Sequence, residues 1–240
     1  MNSQANKKGS ANSPNLLDNT IQKNNCTNQR YEFIPIDFVK CDIVGLNIDH
    51  FKQNMNITQY ESQRESKTDH LYFEKDNIKI DCYKSGRIIL SGSLHKYINE
   101  GLHNHDTFTY QKYLKALECL KIDFAIEPDN LRILQIEYGV NIQPPIKSKR
   151  ILDNLLMHRN KAPDQIKQGY YKQFKRDKFI IKTYDKAKQY KLQQEVFRIE
   201  IKQKNWSGIR SQFGIKTLAD FNHFDKSIFV DNLISKWNEI

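Results

Sequence analysis

Apolar residues first settle into a regular pattern at Tyr31. From there YEFIPIDFVKCDIV alternates aromatic or branched side chains with polar ones, the period of two of a half-buried strand. Residues 46–70 are polar, with a helical bias over His50–Tyr60. LYFEKDNIKIDCYKSGRIILSGSL then reads as two strands joined by a turn at Lys84–Gly86. In HDTFTYQKYLKALECLKI the period changes: Phe108, Tyr113, Leu114, Leu117 and Leu120 fall on one helical stripe, with Thr107 as the cap.

LRILQIEYGVNI returns to strand character and is stopped by Pro144–Pro145. SKRILDNLLMHR (residues 148–159) predicts a helix with Ile151, Leu155 and Leu156 inward. KFIIKTY and EVFRIEIK read as strands, LADF and DKSIFVDNLISKW as helices. This order predicts an α+β fold, an antiparallel sheet with helices packed on one face. The expected organisation is a disordered leader over 1–30, a main domain over 31–222, and a C-terminal helix over 223–240 whose pattern runs to the last residue as though truncated.

Composition narrows the class. The 240 residues are 38% hydrophobic and 11% aromatic, too aromatic for a disordered chain. No apolar run reaches the roughly 18–20 residues that span a bilayer, so no membrane partner is expected. MNSQANKKGS has no apolar stretch of the secretory kind. Cys26, Cys41, Cys82 and Cys119 include no CxxC pair, which argues against a zinc ribbon or disulfide scaffold and points to a reducing, cytoplasmic setting.

Charge changes the picture most. The net +10 is not spread evenly: Lys147–Lys191 holds 14 Lys+Arg against 4 Asp+Glu, and the rest of the chain is balanced. A local excess suggests a surface that faces a polyanion, nucleic acid first, as against a merely solvated lysine-rich face.

Three segments carry candidate chemistry. In Leu131–Ile142 strict alternation puts Leu134, Ile136, Tyr138, Val140 and Ile142 on one face, and Ile133, Gln135, Glu137, Gly139 and Asn141 on the other. Glu137 and Asn141 then flank a glycine where backbone or metal approaches closely, unless Glu137 is simply a surface carboxylate. In Gly101–Asp106, His103 and His105 project to one side and suit one divalent ion, with Asn104, Asp106 and His95 near in sequence; loop histidines of no special role fit as well. In KFIIKTYDKAKQY, Ile180, Lys182 and Tyr184 share a face and Lys186 and Lys188 follow. Tyr184 suits transesterification beside lysine charge and a metal-polarised phosphate, with Tyr170, Tyr171 and Tyr190 as competitors and aromatic packing as the plain alternative. There is no GxxxxGK[ST] and no GxGxxG, so ATP-driven phosphoryl chemistry in this chain is not expected.

These segments, in order, resemble a known family. SGSLHKYINEGLHNHDTFTYQKYLKAL, LRILQIEYGVNI, IIKTYDKAKQY and VFRIEIKQK resemble successive segments of phage and plasmid replication initiators of the filamentous-phage gene II/X type, across Lys79–Gln203. The resemblance implies a rolling-circle initiator with an HUH-endonuclease-like core, which nicks one origin strand, stays joined to the 5′ phosphate through tyrosine and frees a 3′ hydroxyl. It implies Tyr184 as nucleophile, Lys186 as its neighbouring charge, and His103 and Glu137 as ligands of Mg2+ or Mn2+; His105 joins them from its spacing. Lys172, Lys175, Arg176, Lys178, Lys182 and Lys188 would grip single-stranded or hairpin origin DNA, with a host helicase or polymerase as further partner.

The chain departs from the family where Ala187 replaces a glycine, and where the two-histidine motif is His103-Asn104-His105. The rival expectations are a non-catalytic DNA-binding replication or transcription regulator, and an RNA-binding protein with its tyrosines and phenylalanines as stacking platforms.

Overall fold

The structure is a computed structural model and describes residues 33–47, 49, 53, 70–167, 169–207, 210 and 214–240. The expected leader and most of the ambiguous 46–70 stretch lie outside the described residues. Among the described residues, nine strands form one antiparallel sheet: β1 (Ile36–Ile43), β2 (His70–Lys75), β3 (Ile78–Tyr83), β4 (Ile88–Ser93), β5 (Leu131–Ile142), β6 (Gln165–Lys167), β7 (Tyr171–Lys175), β8 (Phe179–Asp185) and β9 (Phe197–Gln203). Their spatial order is β2-β3-β4-β1-β5-β9-β8-β7-β6. The helices are α1 (Leu94–Ile98), α2 (Tyr110–Phe124), α3 (Ser148–Asn154), α4 (Lys186–Tyr190) and α5 (Ser227–Trp237).

Alternation gives the sheet two unlike faces. One is apolar: Val39, Cys41, Ile80, Leu90, Ile136, Tyr138, Ile181 and Ile201 join a single core with Tyr113, Leu117 and Leu120 of α2, Leu152 of α3, and Phe229 and Leu233 of α5. Tyr138 packs at a tilt against Phe229, ring centroids 4.7 Å apart, and its hydroxyl donates to Asn232, which anchors α5. The other face carries Glu137, Asn141, Lys182, Tyr184, Arg198, Glu200 and Lys202 side by side. The fold is thus α+β, an antiparallel sheet whose main helices cover one face.

Several local expectations need correction. The Leu71–Leu94 stretch makes three strands, because Asp76 and Asn77 take φ of 48° and 76° and close a two-residue hairpin between β2 and β3. Aspartate and asparagine enter the left-handed region more readily than other side chains. The α2 cap is Thr109, whose hydroxyl accepts from Lys112 N at 3.2 Å, and Leu114 faces solvent. α3 stops at Asn154, burying Leu152 and leaving Leu156 64% exposed. Arg159 and Asn160 soon follow with φ of 48° and 59°, which a right-handed helix does not contain.

Strict alternation along β5 also fails at one point. Lys40 faces Gln135 and Cys41 faces Ile133, so Leu134 is an extra, bulged residue. Beyond the bulge Ile133 and Leu131 turn into the core instead of sharing the Glu137 face. β6 and β7 add to the expected strands, and β6 is exposed at all three positions, so it leaves no apolar rhythm in the sequence.

Candidate functional site

On β9, Arg198 and Glu200 are two residues apart and share the polar face. The Arg198 guanidinium, 3% exposed, donates to Glu200 Oε2 (2.8 Å), Asn141 Oδ1 (3.0 Å) and Asp37 Oδ2 (2.9 Å). Lys182, opposite Glu200 in the ladder, bridges Glu200 at 2.8 Å and Glu137 at 2.7 Å, and Lys202 reaches Glu137 at 3.2 Å. Asp37 also accepts from Ser93 Oγ and from Asn104 Nδ2.

A second bulge puts Asp37 there. Ile36 faces Tyr138 but Val39 faces Ile136, so β1 has an extra residue between them. Gly139 lets the strands approach: a Cβ there would lie 2.4 Å from Ile199 O and 2.9 Å from Glu200 Cα.

The charges in this network set one another. Burial pushes the Glu200 carboxyl up, but Arg198 and Lys182 outweigh it and hold it below the usual carboxylate range. Glu137 is raised, by burial and then by the Glu200 charge. Lys182 resists its burial because Glu200 and Glu137 hold its proton.

The His103–His105 loop docks against this face, with Asn141 Nδ2 donating to His105 O at 3.1 Å. Asp106 is its hub: one carboxylate oxygen takes His95 Nε2 at 2.6 Å and Asn99 Nδ2 at 2.9 Å, with His103 Nδ1 at 3.5 Å, and the other takes Lys112. Burial opposes the charge on Asp106, but the Lys112 hydrogen bond and His95 lower its carboxyl to about 2. Burial takes His95 down to about 4, so it is neutral at physiological pH. The His103 and His105 rings stack at 4.2 Å, and burial followed by His103 lowers His105.

α4 completes the arrangement. Asp185 caps it by accepting from Lys188 N at 2.8 Å. The first helical residue, Lys186, points inward: it is fully buried, its Nζ has no hydrogen-bond partner, and it lies 6.0 Å from the ring centroids of both Tyr184 and Tyr190. Burial, helped by Arg198, lowers its ammonium to about 6. At neutral pH it is an amine, where the sequence suggested a charge. Tyr184 donates to Glu200 Oε2 at 3.2 Å, and burial then Glu200 push its hydroxyl well above its usual range. Tyr190 donates to Asn104 Oδ1 at 2.8 Å, stands edge-on to His105 at 5.2 Å, and is raised chiefly by burial.

Of the residues singled out in the sequence, Tyr184, Lys186, His103 and His105 thus line one connected region, together with the competitor Tyr190. Glu137 does not join the histidines. It lies four residues along β5 from Asn141, roughly 13 Å at strand rise, and its oxygens are held by Lys182 and Lys202. Among the described residues no three His, Cys, Asp or Glu side chains are grouped for a metal ion, so His103, His105 and Glu137 as placed do not fit one.

The six expected DNA-gripping cations also separate. Lys182 is internal to the network, and Lys172 Nζ donates to Leu155 O at 2.9 Å. Lys188 lies over the Tyr170 ring at 5.1 Å. Lys175, Arg176 and Lys178 sit at the opposite end of β7 and β8 from Tyr184. Asp37, Arg198 and Glu200 are not among the expected site residues. The available signal was Arg198-x-Glu200 in an apolar strand, two charges forced onto one face.

No family model matches the chain, and no curated protein matches it in sequence. Among solved structures it is similar to a rolling circle replication initiator protein from Geobacillus stearothermophilus, with 12% identity and a TM-score of 0.44 over 71% of this chain and 73% of that one.

Proposed function

We propose that the protein is a DNA-binding replication initiator that nicks one strand by tyrosine transesterification. The observation that supports this is the meeting of α4 with the histidine loop, where Tyr190 stands 5.2 Å from His105 and a buried, unpartnered Lys186 lies 6.0 Å from two tyrosine rings. In the step envisaged, a tyrosine Oη bonds to the scissile phosphorus and the P–O3′ bond breaks. The phenolic proton passes to the Lys186 amine and from there to the departing 3′ oxygen. The 5′ phosphate stays on the tyrosine, and a neutral amine suits the role because a protonated lysine has no lone pair to offer.

Tyr190 is favoured over Tyr184 as the nucleophile. The Tyr184 hydroxyl donates to Glu200 inside the charge network, whereas Tyr190 donates only to a neutral amide, beside the histidines. The finer likeness to the filamentous-phage type rests on the sequence segments alone. That likeness also implies Mg2+ or Mn2+, for which the described residues offer no grouped donor set.

The test is a covalent adduct with single-stranded and hairpin DNA, mapped by mass spectrometry in the parent protein and in Tyr190→Phe and Tyr184→Phe. An adduct on Tyr190 that is lost only in Tyr190→Phe is the expected result. An adduct on Tyr184 would return the role to that residue, and DNA binding with no adduct would leave a non-catalytic regulator. Chelation with EDTA tests the ion that the likeness implies: with His103, His105 and Glu137 apart, an adduct that survives is expected, and its loss would call for donors other than these three.

A further inference from the structure

At the far end of β8 from Tyr184, the β7–β8 hairpin forms one wall of an open cleft of about 480 Å³. Arg159, Lys161, Lys175, Arg176, Lys178 and Lys204 line it, against a single carboxylate, Asp177. Three of these cations are fixed in place. Arg159 is held by Glu239 at 2.7 Å, Arg176 Nε donates to His158 Nδ1 at 2.8 Å, and Lys204 Nζ donates to Arg176 O at 2.6 Å.

Lys161, Lys175 and Lys178 are exposed, and among the described residues their ammonium groups have no partner. Like charges gathered around a concavity repel one another and focus a positive potential into it, so the arrangement is more favourable with an anion inside. The cations come from three separate segments, 159–161, 175–178 and 204. Six cations against one carboxylate are more than a single small anion would neutralise, and suit several phosphates of one backbone.

We propose that this cleft is a second nucleic-acid contact, which holds the phosphodiester backbone of DNA flanking the nick. Its lining reaches to within five residues of Tyr184 along β8, about 17 Å. The cleft rests on the reading of the protein as a DNA-nicking initiator only for the identity of its polyanion.

The experiment measures binding of a fluorescein-labelled duplex with a single-stranded tail across a KCl series. It compares the parent protein with Lys161→Glu/Lys175→Glu/Lys178→Glu and with a control reversing the exposed Lys84, Lys115 and Lys216. Each phosphate left without its lysine lowers the slope of log K against log salt by about 0.9, so the cleft variant should drop by about 3 units and the control by none.

An unchanged slope, or an equal drop in the control, overturns the cleft. Displacement of the duplex by equimolar pyrophosphate would make it a small-anion site and overturns it too. A lowered slope with no adduct in any protein would keep the cleft and overturn nicking; an adduct with an unchanged slope would do the reverse.

Discussion

Lys182 and Lys186 sit on the polar face of the sheet, enclosed with Asp37, Glu137, Arg198 and Glu200, whereas Lys161, Lys175 and Lys178, from the same basic stretch, line an open cleft with no counter-charge of their own. In the first group every charge is met by an opposite one, and the single unmet lysine, Lys186, is lowered until it gives up its proton. Charge taken out of water must be paired or neutralised. Charge left in water need not be, so the second group is free to wait for a ligand. A count of lysines therefore does not measure binding surface: part of the +10 is structural.

The enclosed group offers the largest effect. Arg198→Met leaves Asp37 and Glu200 buried without their main counter-charge, and should cost about 3–5 kcal/mol in urea unfolding. Lys175→Met in the cleft should change stability by no more than about 0.5 kcal/mol. Equal losses in the two variants would erase the distinction between the regions.

Lys186→Met is expected to move stability the other way. With its folded value near 6 and the ordinary lysine value at 10.5, the unfolded chain holds a proton between those pH values that the folded chain has released. The parent protein therefore gains stability from this residue's titration as pH rises from about 6 toward 10.5. The methionine variant should be more stable by about 1–4 kcal/mol near pH 6, with the gap closing toward pH 10, while losing the adduct. A gap independent of pH would mean that Lys186 keeps its proton when folded.

Much of this architecture was readable from period alone. β5 and α2 stood out because apolar residues repeat at the spacing of one element for a dozen residues or more. What escaped were features that break the period or lack it. The bulge at Leu134 reverses which side chains meet the core, the Asp76–Asn77 turn folds without glycine or proline, and β6 has no buried position to mark it. The polar face was half legible: Glu137 and Asn141 beside Gly139 were placed together. Arg198, the partner of Asn141, arrives from a strand some sixty residues on, and Asp37 from the far side of β5, and only the ladder register joins them. The sequence favours Tyr184 and leaves Tyr190 as one of three competitors, whereas the hydrogen-bond partners put Tyr184 inside the charge network and Tyr190 beside the histidine loop.

A third kind of cation in the basic stretch gives the smallest effect and the finest test. Lys149 is exposed on α3 and pairs with Asp153 one turn on, at 2.6 Å. Such a pair gains little, because water screens it and both side chains lose freedom to hold it. Lys149→Ala should shift stability by at most about 0.5 kcal/mol, in either direction. It should also leave the salt slope of DNA binding unchanged, since its charge already has a partner and it does not line the cleft. A drop of a full unit of slope would place a phosphate on α3. The track would then run beyond the unpaired lysines, and possession of a partner would no longer separate structural charge from gripping charge in this chain.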